Sequence, residues 1–174
     1  KWASNQLAYD KLHLLHMNQF ASGGIFLIHK SLLKKHKGFS TTYGMRGKHL
    51  GYGEETDLQR RIRKSGQKVA YDPEMIIYHL VPPHKMTVSW QLKSSFKMGQ
   101  TFLASIGYPN NVISGFLALF IGFLQLLVFG MVCLPKLFKS EYFIQNYTVD
   151  TLRKPLKWFG AFWASITFRK RPLS

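Results

Sequence analysis

The sequence predicts an α/β chain that ends in membrane-attached helices. Two observations carry that reading. From Ala21 to Gly99, short apolar runs rich in strand formers alternate with helix signals. From Val112 to Leu134 the chain carries no charge and one strongly polar side chain, Gln125. About 20 such residues are enough to cross the hydrocarbon core of a bilayer.

The composition narrows the class. The 174 residues carry a formal charge of +16, and basic chains seek nucleic acid, anionic lipid or phosphorylated ligands. Much of the charge flanks the hydrophobic segments, where membrane surface explains it. No nucleic-acid-binding module is recognisable, so nucleic acid is not an expected partner. The one cysteine, Cys133, excludes an internal disulfide and a four-thiolate zinc site. The chain starts at Lys1 without a signal peptide and reads as a fragment or processed piece. No repeat of fixed period is present.

Lys1 to Phe20 reads as helix or irregular structure. Gly23 and Gly24 follow and suit either a turn or close approach to a ligand. Ile25 to Ile28 is a strand candidate. Ser31 is read as the cap of a short helix, Leu32 to His36, that Gly38 ends. Phe39 to Tyr52 is a polar loop. Gln67 to Tyr71 and Met75 to Leu80 are further strand candidates around the turn Asp72-Pro73-Glu74. Pro82 and Pro83 stop the second. A basic stretch with Lys85, Lys93 and Lys97 turns helical near Thr87, and Gly99 is expected to interrupt it. After the apolar segment, Glu141 to Asp150 reads as a polar linker. Pro155 to Phe168 is aromatic, flanked by Arg and Lys, and reads as an interfacial helix or a tilted second span.

The stretch Gly51 to Gly66, G-Y-G-E-E-T-D-L-Q-R-R-I-R-K-S-G, is the richest in chemistry. Leu58 and Ile62 share a helix face and can bury it. Arg63 and Lys64 suit the negative end of the helix dipole, and Gly66 is the stop. Glu54 and Glu55 open the helix. A placed carboxylate can take a proton from a bound hydroxyl. Acids in a first turn also serve simply to complement the dipole.

The order of these pieces resembles the C-terminal half of a family 2 glycosyltransferase catalytic domain with its membrane tail. The family pattern is a Gly-Phe step, G-E-D-x-D-L-x-x-R-x-x-x-G, a Y-x-P-like turn and a later histidine. Here those are Gly38-Phe39, Gly53 to Gly66, Tyr71-Asp72-Pro73 and His79. The resemblance spans Ala21 to about Gly99. It implies the C-terminal, acceptor-side half of a GT-A (Rossmann-like) domain over residues 1–108. A transmembrane helix over 109–135 would follow, then a basic linker and amphipathic interfacial helix over 136–174.

The resemblance further implies Glu55 as the general base on the acceptor hydroxyl, with Glu54, Gly23 and Gly24 on the acceptor side. Asp57, Leu58 and Arg61 match positions that look structural. His79 matches a metal-holding histidine of some members, although a lone strand-end histidine is commonly just a satisfied polar group. Lys85 stands where a cation can meet the donor diphosphate, or it is a solvated lysine. Trp90 can stack on a sugar or anchor at the membrane.

Two departures stand out. Glu replaces the usual Asp at position 55, which leaves open which of Glu54 and Glu55 is the base. No Q-x-x-R-W follows His79, which favours transfer of a single sugar. The D-x-D of the nucleotide-binding half is also absent: the aspartates are Asp10, Asp57, Asp72 and Asp150. The fragment alone is therefore expected to be inactive.

The implied activity is inverting, metal-dependent transfer from a nucleotide-sugar donor to a lipid-linked or cell-surface glycan acceptor. Mg²⁺ or Mn²⁺ would be held mostly by the missing half. The implied location is the bacterial inner membrane, with the catalytic part cytoplasmic. The rival expectation is a non-catalytic, basic, membrane-attached binding or scaffold domain.

Overall fold

The computed structural model describes residues 9–21, 24–41, 43–44, 51–78, 80–107 and 110–167. The chain forms two compact units. One comprises Lys1–Thr42 and Glu54–Leu80; the other comprises Tyr43–Gly53 and Val81–Ser174.

The first unit is built around a helix, α2. Its elements are β1 (His13–Leu14), α1 (Lys30–Lys35), α2 (Glu54–Lys64) and β2 (Ala70–Tyr71). β1 and β2 pair antiparallel, His13 opposite Tyr71 and Leu14 opposite Ala70. The Leu15 amide extends the contact by donating to the Val69 carbonyl at 2.8 Å. α1 is capped by His29 rather than Ser31: the His29 Nδ1 accepts from the Ser31 amide. Lys37 and Gly38, at φ 56° and 67°, turn the chain out of α1 in left-handed conformation.

The expected α/β, Rossmann-like fold is not what forms. Helix takes 61% of the described residues and strand 3%. The physical reason lies in the strand candidates. Ile25–Ile28 and Met75–Tyr78 are assigned to no strand. A lone extended segment without a ladder neighbour is not stable as a strand. Several of their side chains stay in the open, Leu27 at 81% and Tyr78 at 97% exposure. Of Gln67–Tyr71 only the last two residues form strand.

The second unit is three helices: α3 (Val88–Ser105), α4 (Val112–Cys133) and α5 (Ile144–Thr167). Thr87 caps α3 by accepting from the Trp90 amide, and Asn111 caps α4 by accepting from the Ser114 amide. Gly99 does not interrupt α3. α5 begins within the stretch expected to be a linker, and it carries Pro155 in its interior.

α5 packs against both other helices. Glycines permit the close approach. A Cβ on Gly99 would strike the Lys157 carbonyl, and one on Gly160 would strike the Phe96 carbonyl. Along α4, Gly115 meets Ser165 and Gly122 meets Phe159. Leu103, Ala118 and Ala161 form the buried cluster between the helices, with Phe102 and Trp158 packed on it. Phe102 and Trp158 meet edge to face, ring centroids 5.5 Å apart.

Gly99→Ala should destabilise the helical unit by about 1–3 kcal/mol, because backbone must move to admit the methyl group. Gly130→Ala should instead stabilise it by up to about 1 kcal/mol, since nothing lies nearer than 3.9 Å to the added carbon. Local hydrogen exchange of α5 amides in the two variants measures both signs.

Candidate functional site

The candidate site is the N-terminal end of α2, and the rest of α2 explains why it is held there. Leu58 and Ile62 are buried, as the spacing predicts. So are three residues that sequence patterning would place in water: Asp57, Gln59 and Arg63.

Each of these has a partner from a distant part of the chain or from its own helix. Asp57 takes one bond from Arg60 and one from Arg61, both 2.8 Å. Arg61 then donates to the His36 and Gly38 carbonyls, which close the turn after α1. Gln59 is fully buried. Its Oε1 accepts from the Ala21 amide at 2.8 Å and its Nε2 donates to the Ala21 carbonyl at 2.9 Å. Arg63 stacks over the Phe20 ring at 5.1 Å and donates to the Met17 carbonyl.

Gln59 lies four residues after Glu55, so both project from one helix face. Through both bonds it ties Ala21 to the helix. The sequence offered only a weak signal for this. A glutamine next to a buried leucine in a helix is ordinary on a solvated face, and its backbone partner lies 38 positions away.

Both acids of the pair are half-buried. The Glu55 carboxyl is held above the ordinary carboxylate range. Burial is the largest cause; the charge of Glu54 and a hydrogen bond between the two carboxyl groups add to it. A hydrogen bond from the Glu55 backbone amide pulls the other way. The Glu54 Oε2 is buried and has no hydrogen-bond partner, an unsatisfied acceptor that a ligand hydroxyl would complete.

The segment before the acids is fixed to α3. The Tyr52 hydroxyl and Ser94 Oγ lie 2.6 Å apart, and Thr101 Oγ1 donates to the Tyr52 carbonyl at 2.6 Å. Gly53, at φ 106°, sits where a side chain would collide with Ser105. Only glycine suits that place.

The other expected site residues are distributed unevenly. Gly23 and His79 lie outside the described residues. Lys85 belongs to the helical unit, in the 3-10 turn Pro83–Met86, with its Nζ 5.7 Å from the Trp90 ring centroid. Among the described residues no three His, Cys, Asp or Glu side chains form a group able to hold a metal ion. An apolar cavity of about 390 Å³ in the first unit is lined by residues including Phe26, Leu32, Ile62, Val69 and Met75, and does not include the acid pair.

No protein-family model, no curated protein and no solved structure matches this chain.

Replacing Gln59 by leucine should cost about 2–4 kcal/mol, because the Ala21 amide and carbonyl both lose their partner. Gln59→Glu keeps the acceptor for the Ala21 amide but sets a buried carboxylate against the Ala21 carbonyl, so it should cost at least as much. Exchange of the Ala21 amide reads this directly: it should become fast in Gln59→Leu and remain partly protected in Gln59→Glu.

Proposed function

We propose that this chain takes part in transfer of a sugar from a nucleotide-sugar donor to a lipid-linked or cell-surface glycan acceptor, with Glu55 as the base. The observation that carries the reading is the acid pair itself. Glu55 has a raised affinity for a proton, and the adjacent Glu54 presents a buried oxygen with no partner. A base is most effective when its pKa approaches the working pH.

In the proposed step the acceptor hydroxyl is oriented by Glu54 and gives its proton to Glu55. The freed oxygen forms a bond to the anomeric carbon as the bond from that carbon to the diphosphate oxygen breaks. The electron pair leaves with the nucleotide diphosphate, and attack from the opposite face inverts the carbon. Among the described residues no three His, Cys, Asp or Glu side chains could hold a cation, and Mg²⁺ or Mn²⁺ is proposed to be bound mostly by a nucleotide-binding half. The order Gly38-Phe39, Gly53 to Gly66, Tyr71-Asp72-Pro73 supports this reading by its resemblance to family 2 glycosyltransferases.

Among the described residues one helix, Val112–Phe138 with its 3-10 extension, is long and apolar enough to cross a membrane. Only 17% of its most apolar window is buried within the protein, unlike a core helix of a soluble domain. That supports attachment to a membrane, proposed to be the bacterial inner membrane with the acid pair on the cytoplasmic side. A second reading, a non-catalytic membrane-attached binding domain, draws on the placement of Glu54 and Glu55 in the first turn of α2, where carboxylates complement the helix dipole.

The test uses the whole protein in membranes, with Mg²⁺ or Mn²⁺ and a panel of nucleotide sugars, and follows nucleotide diphosphate release. Glu55→Gln should lower turnover roughly 10²–10⁴-fold with donor binding intact. Protonated Glu55 cannot accept a proton, so the rate should fall as pH drops through its raised pKa. Glu54→Gln removes a neighbouring charge and a hydrogen bond that raise that pKa, so the acid limb should move to lower pH. Full turnover in Glu55→Gln would overturn the assignment. Absence of both donor binding and turnover in the parent would favour the binding-domain reading.

A further inference from the structure

The helical unit has an order that a simple membrane crossing does not accommodate. α4 and α5 run antiparallel along nearly their whole lengths. Gly115 of α4 faces Ser165 of α5, Gly122 faces Trp158 and Phe159, and Gly130 approaches Thr151 and Tyr147. The α5 residues Arg153, Lys154 and Lys157 therefore lie beside the second half of α4, not beyond its end. Lys154 Nζ sits 4.3 Å from the Phe129 ring centroid, and Lys157 Nζ sits 3.5 Å from that of Phe102.

On another side of α5 lies α3, which carries Gln91, Lys93, Lys97 and Gln100. Its backbone approaches α5 at Gly99 and Gly160, a level that falls alongside the middle of α4. If α4 stood across a bilayer, a polar helix and a row of cations would share the hydrocarbon with it. Charged side chains at that depth are costly and pair or snorkel to the interface.

The apolar surface has a different extent from a crossing helix. It runs down α4 through Phe120, Leu127 and Met131, all exposed, and is flanked by Phe116 and Phe123, which are exposed but also meet the Phe162 and Phe159 rings of α5. It then continues past the helix end to Phe138, 91% exposed, and Phe143. Lys136 and Lys139 are interleaved there. In a crossing arrangement Phe138 would mark the end of the span and Phe143 would lie beyond it.

We propose that α4 lies in the plane of the membrane, its outer face sunk into one leaflet, with the cations of α5 at the level of anionic headgroups and α3 on the aqueous side. Amphipathicity here belongs to the helix pair, not to one helix. α4 supplies the apolar face, and α5 supplies the basic one that an interfacial helix usually carries itself. Arg153 and Lys154 are exposed on α5, and their aliphatic stems let the charges reach phosphate from an apolar neighbourhood. The inference rests on the membrane attachment proposed above and is independent of sugar transfer.

The experiment places single cysteines at Asn111 and Lys139, one at each end of α4, in the whole protein carrying Cys133→Ser. Sealed vesicles of phosphatidylcholine with one-third phosphatidylglycerol are loaded with each variant and treated with a membrane-impermeant maleimide. In-plane placement predicts that both positions react from the same side. Reaction of one position only after the vesicles are opened means that α4 crosses, and would overturn the proposal while leaving attachment intact. A spin label at Phe120 gives an independent reading: it should report a depth within one leaflet, whereas the bilayer midplane would contradict the placement. Arg153→Gln with Lys154→Gln should weaken binding several-fold to the anionic vesicles and leave binding to pure phosphatidylcholine unchanged. Failure of the parent to bind either vesicle, with the Phe120 face covered by a second copy in cross-linking, would refute the attachment itself.

Discussion

The ion pair between Asp57 and Arg61 is the constraint on which the first unit depends. Asp57 is buried, and its two oxygens are met by Arg60 and Arg61 at 2.8 Å. A buried carboxylate is tolerable only when paired in this way. The pairing fixes the Arg61 guanidinium so that its remaining donors hold the turn after α1 through the His36 and Gly38 carbonyls. On neighbouring faces of the same helix, Gln59 holds Ala21 and Arg63 holds Met17. α2 thus gathers segments that have little sheet to organise them. Its N-terminal end is left to present Glu54 and Glu55.

The helical unit uses another device. Its helices approach closely at glycine, alanine and serine, with aromatic pairs such as Phe102–Trp158 packed beside those points. Gly99 and Gly160 let α3 and α5 touch backbone to backbone, while Gly115 and Gly122 admit the Ser165 and Phe159 side chains. Close approach gives dense packing contacts where the hydrophobic effect contributes little, as at a membrane. The large apolar side chains of α4 are thereby released to the outside. Pro155 fits this arrangement by being buried. The amide hydrogen that it lacks leaves a gap in the α5 ladder, although the helix continues on both sides.

The limits of α2 and the start of α4 were legible in the sequence; the cap of α1, the extent of α5 and long-range pairing were not. The limits of α2 follow from its acidic start, the Leu58–Ile62 spacing and Gly66. The helix observed is Glu54–Lys64. Uniform apolarity marked α4 from Val112, with Asn111 as its cap. The strand expectations failed because β propensity reports fitness for a pleated surface and says nothing of whether a neighbour is present. Val69 and Ile76 have the same propensity, but only the segment of Val69 meets β1. α5 was read as two pieces because Pro155 and the polar residues before it suggest a boundary, yet packing against α3 and α4 carries the helix through. Within the site, the carboxylates could be found from sequence. The Gln59–Ala21 pairing could not, since it joins a helix to a loop with no local signature.

α2 holds Glu55 as a carboxyl with a raised proton affinity, set by burial and by Glu54. Titration of the Glu55 carboxyl carbon by NMR in the whole protein, with and without Glu54→Gln, tests it most directly. The prediction is a midpoint above the ordinary 4.5 in the parent, moving downward in the variant. A midpoint at or below the ordinary value, or one that ignores the loss of Glu54, would contradict it.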